Sequence, residues 1–385
     1  MQRKFLLLLV VGLLLLAGCI ADGELAPDPR LQDRANLSDM DLSAKNLSGV
    51  HLNQSDLRRS ILNGSILNGT YLRSAWLDGA QLQDARLSHA DLTGAILSES
   101  DLSNSDLSEA VLRRARLSKA SLPGARLVKT DLTEADLSDA DLTGADLRDA
   151  RLFRTDLSNA ILKDIYLVNA NLIGAHISWT EMGGSYLSNG QFSRAELYSA
   201  NLTGADLSDA DFTRAYLMRA KLNGANLNHA NLAYADLTEA NLTGASLDSA
   251  KLPYADLTRA NLHGADLSDA VLSSIRLVGA VLSEAKLNRV SLRELDLRGD
   301  DLRGASLHNS NLNIVFLTDA NMTGADMRDA TLTQVELTGV DLSDANLEHI
   351  TYDQFTLYSL AKANLKGAKI SDDLKSDLKV ISQGA

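Results

Sequence analysis

The sequence predicts an all-β solenoid, a quadrilateral β-helix of about four pentads per coil, closed by a short C-terminal capping helix. Two periodicities carry this reading. A residue of the leucine class recurs every five positions from Leu37 to roughly Leu357, with a small residue, usually alanine, two places ahead of it. Thr130 to Asp149 shows the unit: T-D-L-T-E, A-D-L-S-D, A-D-L-T-G, A-D-L-R-D. A period of five fits neither the 3.6 of a helix nor the 2 of a flat strand. It fits a chain that turns a corner every five residues and stacks on itself.

The second periodicity counts the corners. Glycine occupies Gly124, Gly144, Gly184, Gly204, Gly224, Gly244, Gly264, Gly304 and Gly324, a column at spacing twenty whose gaps are filled by Asp164 and Glu284. Glycine suits a corner that needs positive φ, so corners twenty residues apart sit above one another. Phe192 with Phe212, Tyr166 with Tyr186, and Tyr234 with Tyr254 obey the same rule. In this geometry leucine and the small residue point inward. Asp or Asn before the leucine points outward, and the Ser or Thr after it is placed to bond backbone groups at the turn. At the β spacing of ~4.8 Å about sixteen coils make a rod of ~75 Å. Sustained from Leu37 onward, A-(D/N)-L-x-x resembles the pentapeptide repeat family. That resemblance implies a right-handed coil, the hand that parallel crossovers also prefer.

Residues 1–34 lie outside the pattern. Arg3 and Lys4 form a basic start, and Phe5 to Ala17 is an apolar run shorter than the ~20 residues of a membrane span. It ends in Leu16-Ala17-Gly18-Cys19, which resembles the lipobox of prokaryotic lipoproteins. That resemblance implies a signal peptide over residues 1–18 and a lipid on Cys19, followed by a tether over 19–34 containing Pro27 and Pro29. Cys19 is the single cysteine in the sequence, so no intrachain disulfide forms. The repeat body is assigned to 35–357 and the C-terminal cap to 358–385. In the cap, Leu374, Leu378 and Ile381 follow helical spacing after Ser371-Asp372-Asp373, which has the N-cap and acidic first turn of a helix start.

Departures from the motif mark special places. Lys45 and Asp300 occupy inward positions; Asp300 must swing out or find a hydrogen-bond partner, because a buried unpaired charge is expensive. Ile275, Leu295, Val315 and Val335 replace alanine in one column and predict a wider interior in the last third. Leu357 is followed by Leu365, a shift of three residues.

No catalytic constellation and no cofactor-binding motif emerges. His51, His89, His176, His229, His263, His308 and His349 are scattered, and the column of His89, His229 and His349 spans several coils, so no metal site is expected. Pairs such as Asp136 and Asp156 belong to the solvated face of the repeat. The formal net charge of -13 disfavours nucleic acid as a partner. The sequons at Asn36, Asn46, Asn201, Asn241 and Asn321 follow from the pentad itself, whereas those at Asn63 and Asn68 lie in another frame. Ile61, Ile66, Tyr71 and Trp76 stand where Asp or Asn is usual, with Ile96 one coil above Trp76, an outward apolar belt around an early coil and a candidate partner contact. Tyr166, Trp179, Tyr186, Tyr198 and Tyr216 decorate the middle coils.

These readings point to a non-enzymatic rod, anchored to the membrane through lipid on Cys19 at the extracytoplasmic side of a prokaryotic cell, acting as spacer or protein-interaction scaffold. Two alternatives stand beside it. Acidic members of the family mimic DNA and act on a topoisomerase, which an exported protein does not meet. A glycan-binding envelope β-helix would need an aromatic platform on one face.

Overall fold

In the computed structural model, which describes residues 32–384, the chain is a parallel β-solenoid with four pentads per coil. The residue before each leucine forms a parallel bridge with its counterpart twenty residues on, from Asn36↔Asp56 onward through the body. Leu132, Leu137, Leu142 and Leu147 are buried, and so is nearly every leucine and small residue of the two inward positions. Full burial of each leucine stabilises the shaft by ~1.5–3 kcal/mol.

One pentad shows why five residues suffice. In Ala135-Asp136-Leu137-Ser138-Asp139, the Asp136 amide donates to Ala115 O of the coil below at 2.9 Å. Leu137 and Asp139 donate to Asp156 O and Ser158 O of the coil above, at 2.7 and 3.0 Å. The Ala140 amide closes the corner on Leu137 O at 3.1 Å, and the Ser138 amide donates to Asp136 Oδ1 at 3.0 Å. Every backbone donor in the unit therefore has an acceptor, as a buried backbone requires. The Ser138 hydroxyl also donates to Asp136 Oδ1, at 2.6 Å, so the residue after leucine bonds the carboxylate through its side chain rather than the backbone expected from sequence.

Positive φ is a property of every corner, not of the glycine column. Gly144 has φ +66°, but Asp139 and Asp149 at neighbouring corners have +58° and +59°. The glycines mark one of four equivalent edges.

Two phenylalanines replace leucine in the shaft. Phe192 and Phe212 are buried and stacked, centroids 4.7 Å apart with planes 9° from parallel. The ring explains Gly190 at an inward alanine position: a Cβ there would lie 2.5 Å from the Phe192 ring and 2.9 Å from Leu187 O.

The column of Ile275, Leu295, Val315 and Val335 is buried and changes the corner beside it. There the isolated bridges lengthen into strands β1 (Ser291–Asp296), β2 (Asn311–Phe316) and β3 (Thr331–Thr333), joined in register twenty. One junction fails. On two sides of the coil the bridges Val271↔Ser291 and Arg276↔Asp296 are missing, although Val281↔Asp301 and Lys286↔Ser306 form on the other two. The corner at Glu294 keeps the positive φ of the corner at Ser274 below it, so what changes is the pairing: β1 bonds β2 above it along its length but not the coil below. Solvent reaches the shaft at this seam: Ile275 is 5% exposed and Leu295 4%, against 0% for most of the interior.

Asp300 lies beside the seam and does not swing out. It is 8% exposed. Burial pushes its pKa up to about 6, against a hydrogen bond from the Gly279 amide and with a smaller push from the Asp296 charge. Its Oδ2 is buried without a partner. Lys45, in the first coil, is half-buried.

The C-terminal end is closed by side chains. After β4 (Asn346–Leu347) and β5 (Thr351–Tyr352), helix α1 (Gln354–Leu360) crosses the open coil, an element not foreseen from sequence. Asp353 caps it by accepting from the Thr356 amide at 2.8 Å. Amides of the last coil that lack a next coil are taken up here: Gln334 donates to Asp353 Oδ2, Val335 to Thr356 Oγ1, and Leu337 to Ser359 Oγ. The register then resumes three residues late, Asp341↔Asn364, with Asn346 of β4 paired to Lys369 of β6 (Lys369–Ile370). Helix α2 (Asp372–Gly384) has acids Asp372 and Asp373 in its first turn and buries Leu374, with Leu378 and Ile381 packed on the core. The Tyr352 hydroxyl donates to Asp377 Oδ2 at 2.7 Å.

Two outcomes follow from the shaft. Gly190→Ala should lower stability by about 1–3 kcal/mol in denaturant titrations, and adding Phe192→Leu should recover most of that loss by removing the clashing ring. For Asp300 the folded pKa lies above the unfolded value of 3.8, so the folded chain holds the extra proton between the two. Stability should therefore fall as pH rises from about 4 to 6, by an order of 2–3 kcal/mol, and Asp300→Asn should flatten that interval in midpoint-against-pH curves.

Candidate interaction surfaces

The outward belt is where the pentad geometry places it. Tyr71 and Trp76 are 43% and 44% exposed, while Ile61 and Ile66 are half-buried. They occupy the four sides of one coil, so no side carries more than one. Tyr71 stacks on His51 of the coil below, centroids 4.4 Å apart and planes 18° from parallel. The Arg58 guanidinium lies 5.4 Å from the Trp76 ring centre while holding Asp56 through two bonds of 2.9 and 2.7 Å. Trp76 also forms a wall of a shallow groove of about 560 Å³, lined further by Arg34, Asn36, Gln54 and Asp56 of the first two coils.

The belt forgoes the carboxylate that normally accepts the corner amide. At part of the belt an asparagine one coil below supplies the acceptor instead. The Arg73 amide, after Tyr71, donates to Asn53 Oδ1 at 3.0 Å, and just beyond the belt the Gln83 amide, after Gln81, donates to Asn63 Oδ1 at 3.2 Å. Asn at the first corner position, twenty residues before a non-Asx pentad, is the signal by which sequence reasoning could have found this substitution.

The middle aromatics separate. Tyr166 and Tyr186 stack at 4.9 Å on one side. Trp179 meets Tyr198 edge-on at 5.1 Å, near the side that carries Tyr216, two pentads round the coil and therefore opposite. The Tyr198 hydroxyl is held by Arg219, which also pairs with Glu239 at 2.7 Å. A single aromatic platform is not assembled from these five residues.

Charge on the faces is locally paired. Asp56, Asp146, Asp296, Asp301 and Asp326 each hold the arginine two residues on through both carboxylate oxygens, an Asp-x-Arg fork legible in the sequence but not singled out from it. Exposed pairs of this kind contribute at most about 1 kcal/mol. Asp131 is the most enclosed outward carboxylate. Burial pushes its pKa up, but the Thr133 hydroxyl, the Arg113 guanidinium and the Thr133 amide together hold it below the ordinary value. Among the described residues no group of three or more His, Cys, Asp or Glu is placed to hold a metal ion. No described helix is long and apolar enough to cross a membrane. Cys19 lies outside the described residues.

A square coil of five-residue sides, leucine-filled and laddered at spacing twenty, defines a repeat-built β-solenoid. The family described as Pentapeptide repeats matches in successive segments that cover residues 35–189 and 195–348, and the chain belongs to that family. No curated protein matches it significantly. Among solved structures it is 33% identical to HetL, a pentapeptide repeat protein involved in heterocyst differentiation regulation in the cyanobacterium Nostoc sp. strain PCC 7120, over 68% of this chain and 92% of that one, with a TM-score of 0.28. It is 17% identical to QnrB1, a plasmid-mediated fluoroquinolone resistance protein, over 58% and 98%, with a TM-score of 0.31. A pentapeptide repeat protein of the Arabidopsis thaliana thylakoid lumen is 24% identical over 46% and 89%, with a TM-score of 0.13. Kinship rests on the repeat, not on these superpositions.

The role of the outward Asp is open to direct measurement. Asp136→Ala removes the acceptor of the Ser138 amide and should cost about 1 kcal/mol in a denaturant titration, while Asp136→Asn, which keeps an acceptor oxygen, should stay within about 0.5 kcal/mol of the parent.

Proposed function

We propose that this chain is a non-enzymatic, lipid-anchored rod on the extracytoplasmic side of a prokaryotic membrane, acting as a spacer or protein-interaction scaffold. The observation that carries the scaffold half is the consumption of the backbone by the ladder and the corners everywhere but the seam at residues 271–280. What remains for chemistry is a set of solvated outward side chains, presented at fixed intervals along a long regular surface. Their carboxylates are tied to hydroxyls, amides and arginines rather than gathered into a site.

The anchor half is supported by the sequence. Leu16-Ala17-Gly18-Cys19 follows a basic start and a short apolar run, and the sequence has no other cysteine. A single acyl anchor gives marginal binding and two signals give stable binding, so the multiple acyl chains of a lipoprotein cysteine suit a permanently tethered rod. Ile61, Ile66, Tyr71 and Trp76 then lie in the coils nearest the tether and are the proposed contact for a protein partner.

Membrane fractionation of intact cells tests the anchor. The parent should sediment with membranes and Cys19→Ala should move to the soluble extracytoplasmic fraction; equal membrane association of both would overturn the assignment.

A further inference from the structure

We propose that the seam between residues 271–280 and 291–300 is a docking site for an extended peptide segment of a partner protein, bound by strand addition. This deepens the scaffold reading by naming what the scaffold holds, and it does not depend on the lipid on Cys19.

The seam is a break in a ladder, so its two lips carry the groups a strand would satisfy. On the lower lip the Leu272, Ser274 and Leu277 amides lack the carbonyl partners that the same positions have in every neighbouring coil; Leu252, for comparison, donates to Val271 O at 2.8 Å. On the upper lip the Ser291 and Asp296 amides lack the Ala270 and Ile275 carbonyls they would meet in register, whereas Asn311 donates to Val290 O at 2.9 Å. Donors and acceptors thus alternate along both lips at the spacing of a parallel sheet. The main chain of an extended peptide is the ligand class that offers the complementary row. A small molecule or a sugar does not repeat at that interval.

The flanks agree with this occupant. Val271 and Val278 are exposed on the lower lip, at 45% and 54%, and Phe316 is exposed one coil above the upper lip. Ile314, on the corner preceding Phe316, is held at φ +57°, a left-handed conformation that a β-branched residue adopts only under strain. Ile275 and Leu295 are buried behind the closed seam, at 5% and 4% exposure, and become an apolar floor for alternate side chains of the peptide once the lips part. Asp300 Oδ2, buried and unpartnered beside the closed seam, gains a donor from a peptide amide or a lysine when the lips part. The intact bridges Val281↔Asp301 and Lys286↔Ser306 act as the hinge about which the lips part.

Hydrogen exchange of the full chain, resolved to single amides, tests the proposal. The probe is a synthetic decapeptide of sequence NLNIVFLTDA, that of residues 311–320, whose first six residues pair in parallel as β2 in the chain itself. In the free protein the Leu272, Ser274, Leu277, Ser291 and Asp296 amides should exchange about 100-fold faster than those of Leu252 and Leu312. Saturating peptide should slow them about 10-fold, and a version N-methylated at alternate residues should not. The proposal is overturned if these amides are as protected as Leu252 in the free chain. It is equally overturned if the peptide leaves their exchange unchanged, or if the N-methylated peptide protects them as well. Ile275→Ala with Leu295→Ala, restoring the alanine column, should close the ladder and abolish the peptide effect. Should that variant not fold, Val278→Arg on the surface should weaken the peptide about 5-fold or more, and unchanged peptide affinity there would count against the site. None of these outcomes bears on the fractionation of Cys19→Ala, so the two readings fail separately.

Discussion

The coil-to-coil hydrogen-bond ladder is the constraint from which the rest follows. Three of the five amides in a pentad bond neighbouring coils, one closes the corner and one is taken by the side chain two residues back. A corner this tight leaves a donor that the ladder does not reach, and the outward Asp or Asn exists to accept it. The repeat motif is therefore a solution to backbone pairing first and a hydrophobic pattern second. Leucine fills the shaft that this backbone encloses, and alanine precedes it because the shaft has room for one large side chain per side.

Departures from the motif obey the same constraint. At some pentads where the outward Asp is replaced, an asparagine one coil below accepts instead, as Asn53 does for the Arg73 amide. Where the ladder must end, the hydroxyls of Thr356 and Ser359 and the carboxylate of Asp353 stand in for the missing strand. Where the inward alanine becomes bulky, pairing runs across the corner in β1 and β2, and the junction below β1 loses its bridges on two sides. The seam is the place where this repair is incomplete, and it also holds the inward carboxylate of Asp300.

The surface is correspondingly plain. Its carboxylates are held by arginines, hydroxyls and amides, its aromatics lie on opposite sides, and its histidines are spread over many coils. In the proposed reading, such a rod works by where it holds things. That reading links the body to the proposed anchor at Cys19 and places the belt of Ile61, Ile66, Tyr71 and Trp76 near the proposed tether.

Spacing alone determined the coil: the five-residue recurrence of leucine and the twenty-residue recurrence of Gly204, Gly224 and Gly244 each encode a strictly local repeat, so counting recovers them. The inward positions, the outward belt and the late register after Leu357 were legible for the same reason. Tertiary structure alone decided what depends on neighbours twenty residues away. That positive φ serves every corner, that Asp136 accepts an amide while Ser138 serves the carboxylate, and that Gly190 makes room for Phe192 are matters of three-dimensional contact. Helix α1 and the seam at Ile275 were likewise invisible. Both arise where the ladder ends or fails to mesh, and pairing between coils is a property of two segments at once rather than of either one's residues.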